Sequence, residues 1–510
     1  MSISSGIDIA SGGIAAIESQ LAVLSQNIAN ASTPGYSAET SSTENLTASG
    51  QPVGVQVEPA QLVTDQALQA SVLTQNGAAA SSHTTQAALS AVTAVQGAPG
   101  SGGDLSSLLG GVQSAFTTLA NDPSNQTQQA AVVTAAGNLA AAINAQSQAY
   151  QAQRQSAQNA IVADVGTLNS TVATIGSLSQ QIIGLQAQGQ STADLQNQRN
   201  AAIGTLSSLI GVKVLNQPDG GVTLLAGGDL SIPLNGTSPP FATQAATISA
   251  GASYPGGIPA ITLNGQDVTG ELSGGSLGAN IALRDSTLPT YQGELDEFAA
   301  QLSNRFAAQG LTLFSDANGN VPALSTTSPI QSGYVGYAGE IQVNPAVSAD
   351  PSLVRDGTQA VAGSPTGASA FTPNPPGGPA GFSTLISRVL DYAFGAQAQA
   401  GVPQAAIPTT GLGASGMLSA GFASPADLGD YASALVASQA AEAATASSQS
   451  TSDAAVQTSL QSSLSAVTGV NVDTELAKMT QLQNAYGANA QVIAAAKAMW
   501  TDLITAMTSA

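Results

Sequence analysis

Two stretches of the chain carry an apolar position every third or fourth residue, and they lie at its opposite ends. Near the start, Ile3, Ile7, Ala10, Ile14, Ile17, Leu21, Leu24, Ile28 and Ala31 follow this spacing. Near the end, Val472, Leu476, Met479, Gln483, Tyr486, Ala490, Ile493, Lys497, Trp500, Ile504 and Met507 repeat it, with Gln483 and Lys497 as polar interruptions. Each is a seam of about four to five heptads, the pattern that buries one helix stripe against another helix. A lone seam would be a large exposed apolar patch, which soluble monomers avoid. The two can cover each other only if the ends of the chain meet in space.

Between the ends the pattern changes several times. Thr33-Pro34-Gly35 predicts a stop to the first helix near Ser32, because the residue before a proline is pushed out of helical geometry. Residues 36–60 read as an extended or hairpin segment, with Val53, Val55 and Val57 alternating. Helical spacing resumes near residue 61 and runs to about 210, interrupted by a loop from Pro99 to Gly103. Its strongest stretch is Ile161, Val165, Leu168, Val172, Ile175, Leu178, Ile182 and Leu185, which suits a bundle or coiled coil. Asp219-Gly220 and Asn264-Gly265, flanked by Val, Leu, Ile and Thr, predict hairpins within 211–272. Tyr291, Leu295, Phe298, Leu302 and Phe306 predict a helix over 289–309. Residues 311–425 are rich in Gly, Pro, Ser and Thr, with one short helix near 383–394, and helix returns after Pro425.

The expected architecture is α+β, multidomain and nested. Long terminal helices form a coiled coil, a helical-bundle layer lies inside them in sequence, and β-rich domains are inserted at the centre. The boundaries are 1–60 with 472–510 for the terminal domain and 61–210 with 426–471 for the helical domain. Residues 211–288 form a β-rich domain, 289–310 a helix returning to the helical layer, and 311–425 a β-rich or irregular outer domain.

Composition narrows the possible chemistry. The 510 residues hold 9 Lys plus Arg against 30 Asp plus Glu, a formal net charge of −21, with no cysteine and one histidine. Such a chain lacks the clustered cations that bind nucleic acid or anionic membranes. Disulfides and thiolate metal sites are ruled out. The first cation is Arg154, so the positive start of a conventional secretory signal is not expected, and no uninterrupted run of about 18 apolar residues predicts a membrane span. Only 8% of residues are charged, and helices with small uncharged faces can pack on several sides without desolvating charge.

Several motifs invite a catalytic or metal-binding reading and fall short of it. Gly411 to Gly416 fits G-x-G-x-x-G, but Pro403 and Pro408 lie where a strand should precede it, so a loop is expected. Asp316, Asn318 and Asn320 alternate like calcium ligands, yet the glycine falls early and Thr327 stands where a bidentate glutamate belongs; a surface turn is expected. His83 has no second histidine or nucleophile-elbow sequence beside it and is expected on a solvated helix face. Asp296-Glu297 would need suitable spatial separation for glycoside hydrolysis. Asp194 and Arg199 read as a capping or helix-surface pair. No catalytic, cofactor-binding or metal-ligating residue is expected, and no cofactor.

The stretch Asn27-Ile28-Ala29-Asn30-Ala31-Ser32-Thr33-Pro34-Gly35-Tyr36 resembles the signature of flagellar rod, hook and hook-associated proteins. Val472-Asp473-Thr474-Glu475-Leu476, with Gln483-Asn484-Ala485-Tyr486 and Ala490 to Ile493, resembles the matching tail signature. Phe116 to Pro123, Asp194 to Arg199 with Leu206-Ser207, and Leu283-Arg284-Asp285 with Leu288-Pro289 resemble the hook-associated FlgK family. The likeness fades between about 320 and 425. Ala38-Glu39 departs from the family's Arg-Gln, Leu482 from a common tyrosine and Gly487 from a glutamine.

The resemblance implies a non-enzymatic structural subunit that joins hook to filament and on which filament assembly depends. It implies export without a cleaved signal peptide and a place outside the cell, at the hook–filament junction. The implied partners are copies of itself, the hook protein, a second junction protein of the hook-associated protein 3 type, and a FlgN-type export chaperone. A hook or filament subunit and an exported surface adhesin are the alternative readings.

Overall fold

The computed structural model describes residues 3–48, 51–236, 238–325 and 327–508. The side chains of Ile3 and Val53 lie outside the described residues. Helix α1 spans Ile3–Asn30, and a turn with Gly35 at φ +76° ends it. Strands β1 (Glu39–Thr40) and β4 (Gln61–Leu62) pair across the base of the hairpin formed by β2 (Thr43–Ala48) and β3 (Gln51–Val57). By length and composition, Ser4–Asn30 of α1 reaches the threshold of a membrane-crossing helix, which its polar interruptions mask in the sequence. In the structure α1 lies against the C-terminal helix and β3.

Four helices follow: α2 (Gln66–Gln96), α3 (Leu105–Asn121), α4 (Gln126–Ala187) and α5 (Ala193–Leu209). Three begin with a side-chain cap, in which Asp65, Asp104 and Asn125 accept backbone N–H groups that the first turn cannot satisfy. At about 1.5 Å per residue, the 62 residues of α4 span about 93 Å. That length lets one helix serve two separate hydrophobic cores.

The core around the second half of α4 contains Ile161, Leu168, Val172 and Ile175. It is closed by α5 and by the strands β5 (Val212–Asn216), β6 (Val222–Ala226) and β7 (Leu230–Ile232). A second small sheet of β8 (Phe241–Ala242), β9 (Thr262–Leu263) and β10 (Gln266–Asp267) completes it. The β region then ends sooner than expected. Helix α6 (Gly275–Ala282) runs through a π-helical turn at Leu283–Thr287 into α7 (Leu288–Ala308), so helix begins at Gly275 rather than at 289.

The other core surrounds the first half of α4, with α3 and α7. Its centre is aromatic: Phe306 meets Phe116, Phe314 and Phe394 with ring centroids 5.3–6.0 Å apart. The segment expected as an outer domain belongs to this same core. Leu313, Tyr337, Ile341, Val354 and Ile386 are buried in it alongside Leu139 and Phe298. Its regular elements are short: α8 (Pro345–Ala349), α9 (Leu353–Asp356), α10 (Thr384–Arg388) and three two-stranded ribbons. The segment therefore caps the helices instead of forming a core of its own. Helix α11 (Leu428–Thr468) then packs along α2, and after a break at Gly469–Asn471 the chain ends in α12 (Val472–Thr508).

Polar groups pin the cap to the helices. Asp296 on α7 accepts the backbone N–H of Gly336 at 2.7 Å and of Ala338 at 2.9 Å. Glu297 accepts the Tyr334 hydroxyl at 2.8 Å. Glu294 accepts Gln439 Nε2 of α11 at 2.8 Å. All three carboxyls are buried and held by neutral donors, and burial pushes Glu294 and Asp296 up to about 7. Between about pH 4.5 and 7 the folded chain keeps protons that the unfolded chain has released, so stability falls as pH rises through that window and levels off above it. The denaturant midpoint of the parent chain should decline from pH 5 to pH 7, and Glu294→Gln should make that decline shallower. Equal slopes in parent and variant would remove Glu294 from the titration.

Candidate assembly interface

The terminal helices meet antiparallel. Asn27 reaches Glu475, Gly13 lies beside Asn489, and Ile7 shares a groove with Trp500. On α1, Ala10, Ile17 and Leu24 are buried, while Ile7, Ile14, Leu21 and Ile28 are half-buried. On α12 the less exposed positions are Glu475, Met479, Leu482, Ala485, Asn489, Ile493 and Ala496. This face shares only Met479 and Ile493 with the stripe read from the sequence. Leu476, Tyr486, Trp500, Ile504 and Met507 stand 39–74% exposed, and so do Val492, Met499 and Leu503. Helix α12 has more apolar surface than one partner helix can cover, so periodicity alone does not select the face that α1 takes.

Asn27 ties this arm together. Its side chain is 1% exposed. Nδ2 donates to the Glu39 carbonyl at 2.8 Å and to Glu475 Oε2 at 3.2 Å, while Oδ1 accepts the Glu39 N–H at 2.9 Å and the Tyr36 hydroxyl at 3.1 Å. One amide thus joins α1, β1, the turn and α12. Burial, then the Glu39 carboxylate, raises the Tyr36 phenol above its ordinary range and keeps it a donor. Lys478 Nζ holds the other oxygen of Glu475 at 2.8 Å.

The remaining signature residues shape the turn. Asn30 Nδ2 donates to the Gln26 carbonyl, Thr33 donates to Asn30 Oδ1, and Pro34 and Gly35 are exposed at the bend. Asn197 of α5 then clamps Ser37, accepting its N–H and donating to its carbonyl at 3.0 Å each. The Ala38 N–H donates to the Thr468 carbonyl at the end of α11. Asp194 and Arg199 do not pair: Asp194 takes Gln26 and Gln198, while Arg199 is buried and donates to the Gly220 carbonyl at 2.6 Å.

The sites weighed for other chemistry find structural places. His83 is exposed on α2, and no cluster of metal-ligating side chains exists among the described residues. Asp316 accepts the N–H groups of Asn318 and Asn320 in a turn. The glycine-rich run at 411–416 begins inside a ribbon, Thr410–Leu412 pairing with Leu418–Ser419, and a strand rather than a helix follows it.

Asn27→Ala should remove four hydrogen bonds at once and leave the buried Glu39 N–H without its acceptor. A loss of about 2–3 kcal/mol in the docking of α1 is expected. Hydrogen exchange should show protection falling in α1 and α12 while α4 and α7 keep theirs; unchanged protection at the ends would contradict this role.

Comparison with known proteins agrees with this layout. Residues 97–321 match the family model of the flagellar hook-associated protein FlgK helical domain. Residues 461–506 match the flagellar basal body rod FlgEFG protein C-terminal model, and residues 7–36 the flagella basal body rod protein model. Among solved structures, the flagellar hook junction protein FlgK from Burkholderia pseudomallei is 24% identical over 50% of this chain and 46% of that one, with a TM-score of 0.40. The match therefore spans less than half of that protein. No curated protein sequence matches the chain. The first model falls on the central helices from α3 to α7 and the other two on the two arms that Asn27 joins, so the chain is similar to the hook-associated FlgK family over its central helices and to flagellar rod proteins at its ends.

Proposed function

We propose that this chain is a non-enzymatic structural subunit joining the flagellar hook to the filament and required for the filament to assemble. The observation that supports this reading is the unfinished surface of α12. Eight large apolar side chains, Leu476, Tyr486, Val492, Met499, Trp500, Leu503, Ile504 and Met507, are exposed on a helix already packed against α1. Fully burying one such side chain contributes about 1.5–3 kcal/mol, and ordering each residue costs about 1–2 kcal/mol of backbone entropy. The arm alone is therefore weakly held, and neighbouring subunits that cover α12 would fix it. Contacts that repeat head to tail without closing build an open helical tube.

Helices α1 and α12 carry five acids, Asp8, Glu18, Asp473, Glu475 and Asp502, against Lys478 and Lys497. The arms thus carry −3 of the chain's net charge of −21, in proportion to their length. On this reading the partners are further copies, the hook protein, a second junction protein of the hook-associated protein 3 type, and before export a FlgN-type chaperone. The place is the hook–filament boundary outside the cell, reached by the flagellar export channel without a cleaved signal.

Two experiments test it. Immunogold labelling should mark the boundary between hook and filament; label along the filament or over the cell surface would favour a filament subunit or an adhesin. Deleting residues 472–510 leaves both hydrophobic cores intact, because neither contains a residue of α12. The trimmed chain should keep the helical circular dichroism of its remaining residues yet fail to restore filaments, and restored filaments would refute the reading. Trp500 is the single tryptophan and is half exposed. Its fluorescence should shift to the blue on polymerisation and stay unshifted if α12 is not covered.

A further inference from the structure

Where the terminal arm meets the helical layer, a groove of about 730 Å³ opens between α1, the chain around Glu58 and the corner between α4 and α5. Its charged groups are all acidic: Glu39, Glu58 and Asp194. Two of them find neutral donors within the chain. Asp194 accepts Gln26 Nε2 at 3.2 Å and Gln198 Nε2 at 2.9 Å, and Glu58 accepts the Ser42 hydroxyl.

Glu39 is 5% exposed; Asn197 and Tyr36 lie beside its carboxyl, but its Oε1 has no hydrogen-bond partner. Glu39 lines this groove and also a smaller one of about 230 Å³ beside Lys478 and Leu482. A buried carboxylate oxygen without a partner is unfavourable, and here burial and the charge of Asp194 oppose ionisation more than Asn197 and Tyr36 favour it.

The chain has few cations of its own to offer. Arg154, Arg199, Arg284, Arg305 and Arg388 are buried and bonded within the fold. Arg355 holds Asp356, and Lys478 holds the far side of Glu475. Lys497 shares another groove with Asp8. Lys213 on β5 and Lys497 on α12 are the two that are exposed and make no ion pair among the described residues.

We propose that this groove receives a lysine or arginine side chain from a different axial protein in the assembled flagellum, with its cation seated against Glu39 between Asp194 and Glu58. The proposal rests on the reading of the chain as a flagellar subunit. The scarcity of free cations argues against a second copy as the donor. A charge-assisted bond would satisfy Glu39 only on assembly, so the acid disfavours the empty groove and rewards the filled one.

The test uses the full chain in the parent cell, with a photo-crosslinking phenylalanine derivative at Gln181. Gln181 is an exposed groove residue on α4 whose side chain bonds only within its own helix. Irradiated, purified flagella should yield a crosslink to a peptide of another axial protein with a lysine or arginine beside the attachment point. Glu39→Gln should raise the denaturation midpoint of the free chain, because a buried charge is removed, while lowering its incorporation into flagella several-fold. A crosslink to this same chain, or to a peptide without a cation, overturns the proposal. Incorporation of Glu39→Gln at the parental level overturns it too. Absence of the parent chain from the flagella would overturn both this proposal and the functional reading on which it rests.

Discussion

One buried amide holds the two ends of this chain in register. Asn27 sits in a mostly apolar helix, and its position is tolerable only because β1, the Tyr36 turn and α12 supply partners for it. The geometry works only with α1 antiparallel to α12 at one particular height. A one-turn slip of α12 past α1 would break the bond between Asn27 and Glu475, while the bonds of Asn27 to Glu39 and Tyr36 stay in place. Apolar contacts on α12 are abundant and interchangeable, so they supply attraction without specifying register. The polar contact supplies specificity, as polar residues at seam positions do in coiled coils.

From that fixed point the structure grows in both directions along the sequence. Asn197 ties the turn to α5, and the Ala38 N–H ties it to the end of α11, so the arm and the helical layer share one junction. Helix α4 carries the layout outward through two cores. At the far core the cap is held by buried carboxylates on α7 and by arginines that reach backbone carbonyls, with Arg305 bonding Ala426 and Arg388 bonding Gln309. Cations spent in this way leave an acidic exterior.

The terminal helices, the hairpin after Gly35 and the long course of α4 are legible in the sequence because helical and strand periodicity are local properties. Three features are not. The face of α12 that meets α1 is set by Glu475 and Asn489, polar residues that a search for apolar stripes passes over. The early start of helix at Gly275 is masked by Gly274-Gly275, which reads as a turn after the last strand. The cap from 311 to 425 buries Leu313, Tyr337 and Ile386 into a core built elsewhere, and single apolar residues in irregular backbone carry no periodic signal. Among the signature residues, the sequence marks Asn27 as notable but gives no hint that Glu475 and Asn27 are partners.

The terminal pair also carries three glycines at a common height. Gly12 and Gly13 lie midway along α1, Gly13 contacts Asn489, and Gly487 is two residues from that contact on α12. Each glycine in a helix interior weakens it by about 1 kcal/mol relative to alanine. Both rods are therefore softest at the same level, where neither can splint the other. In any assembly that repeats such pairs, bending strain would collect at that shared level of weak points.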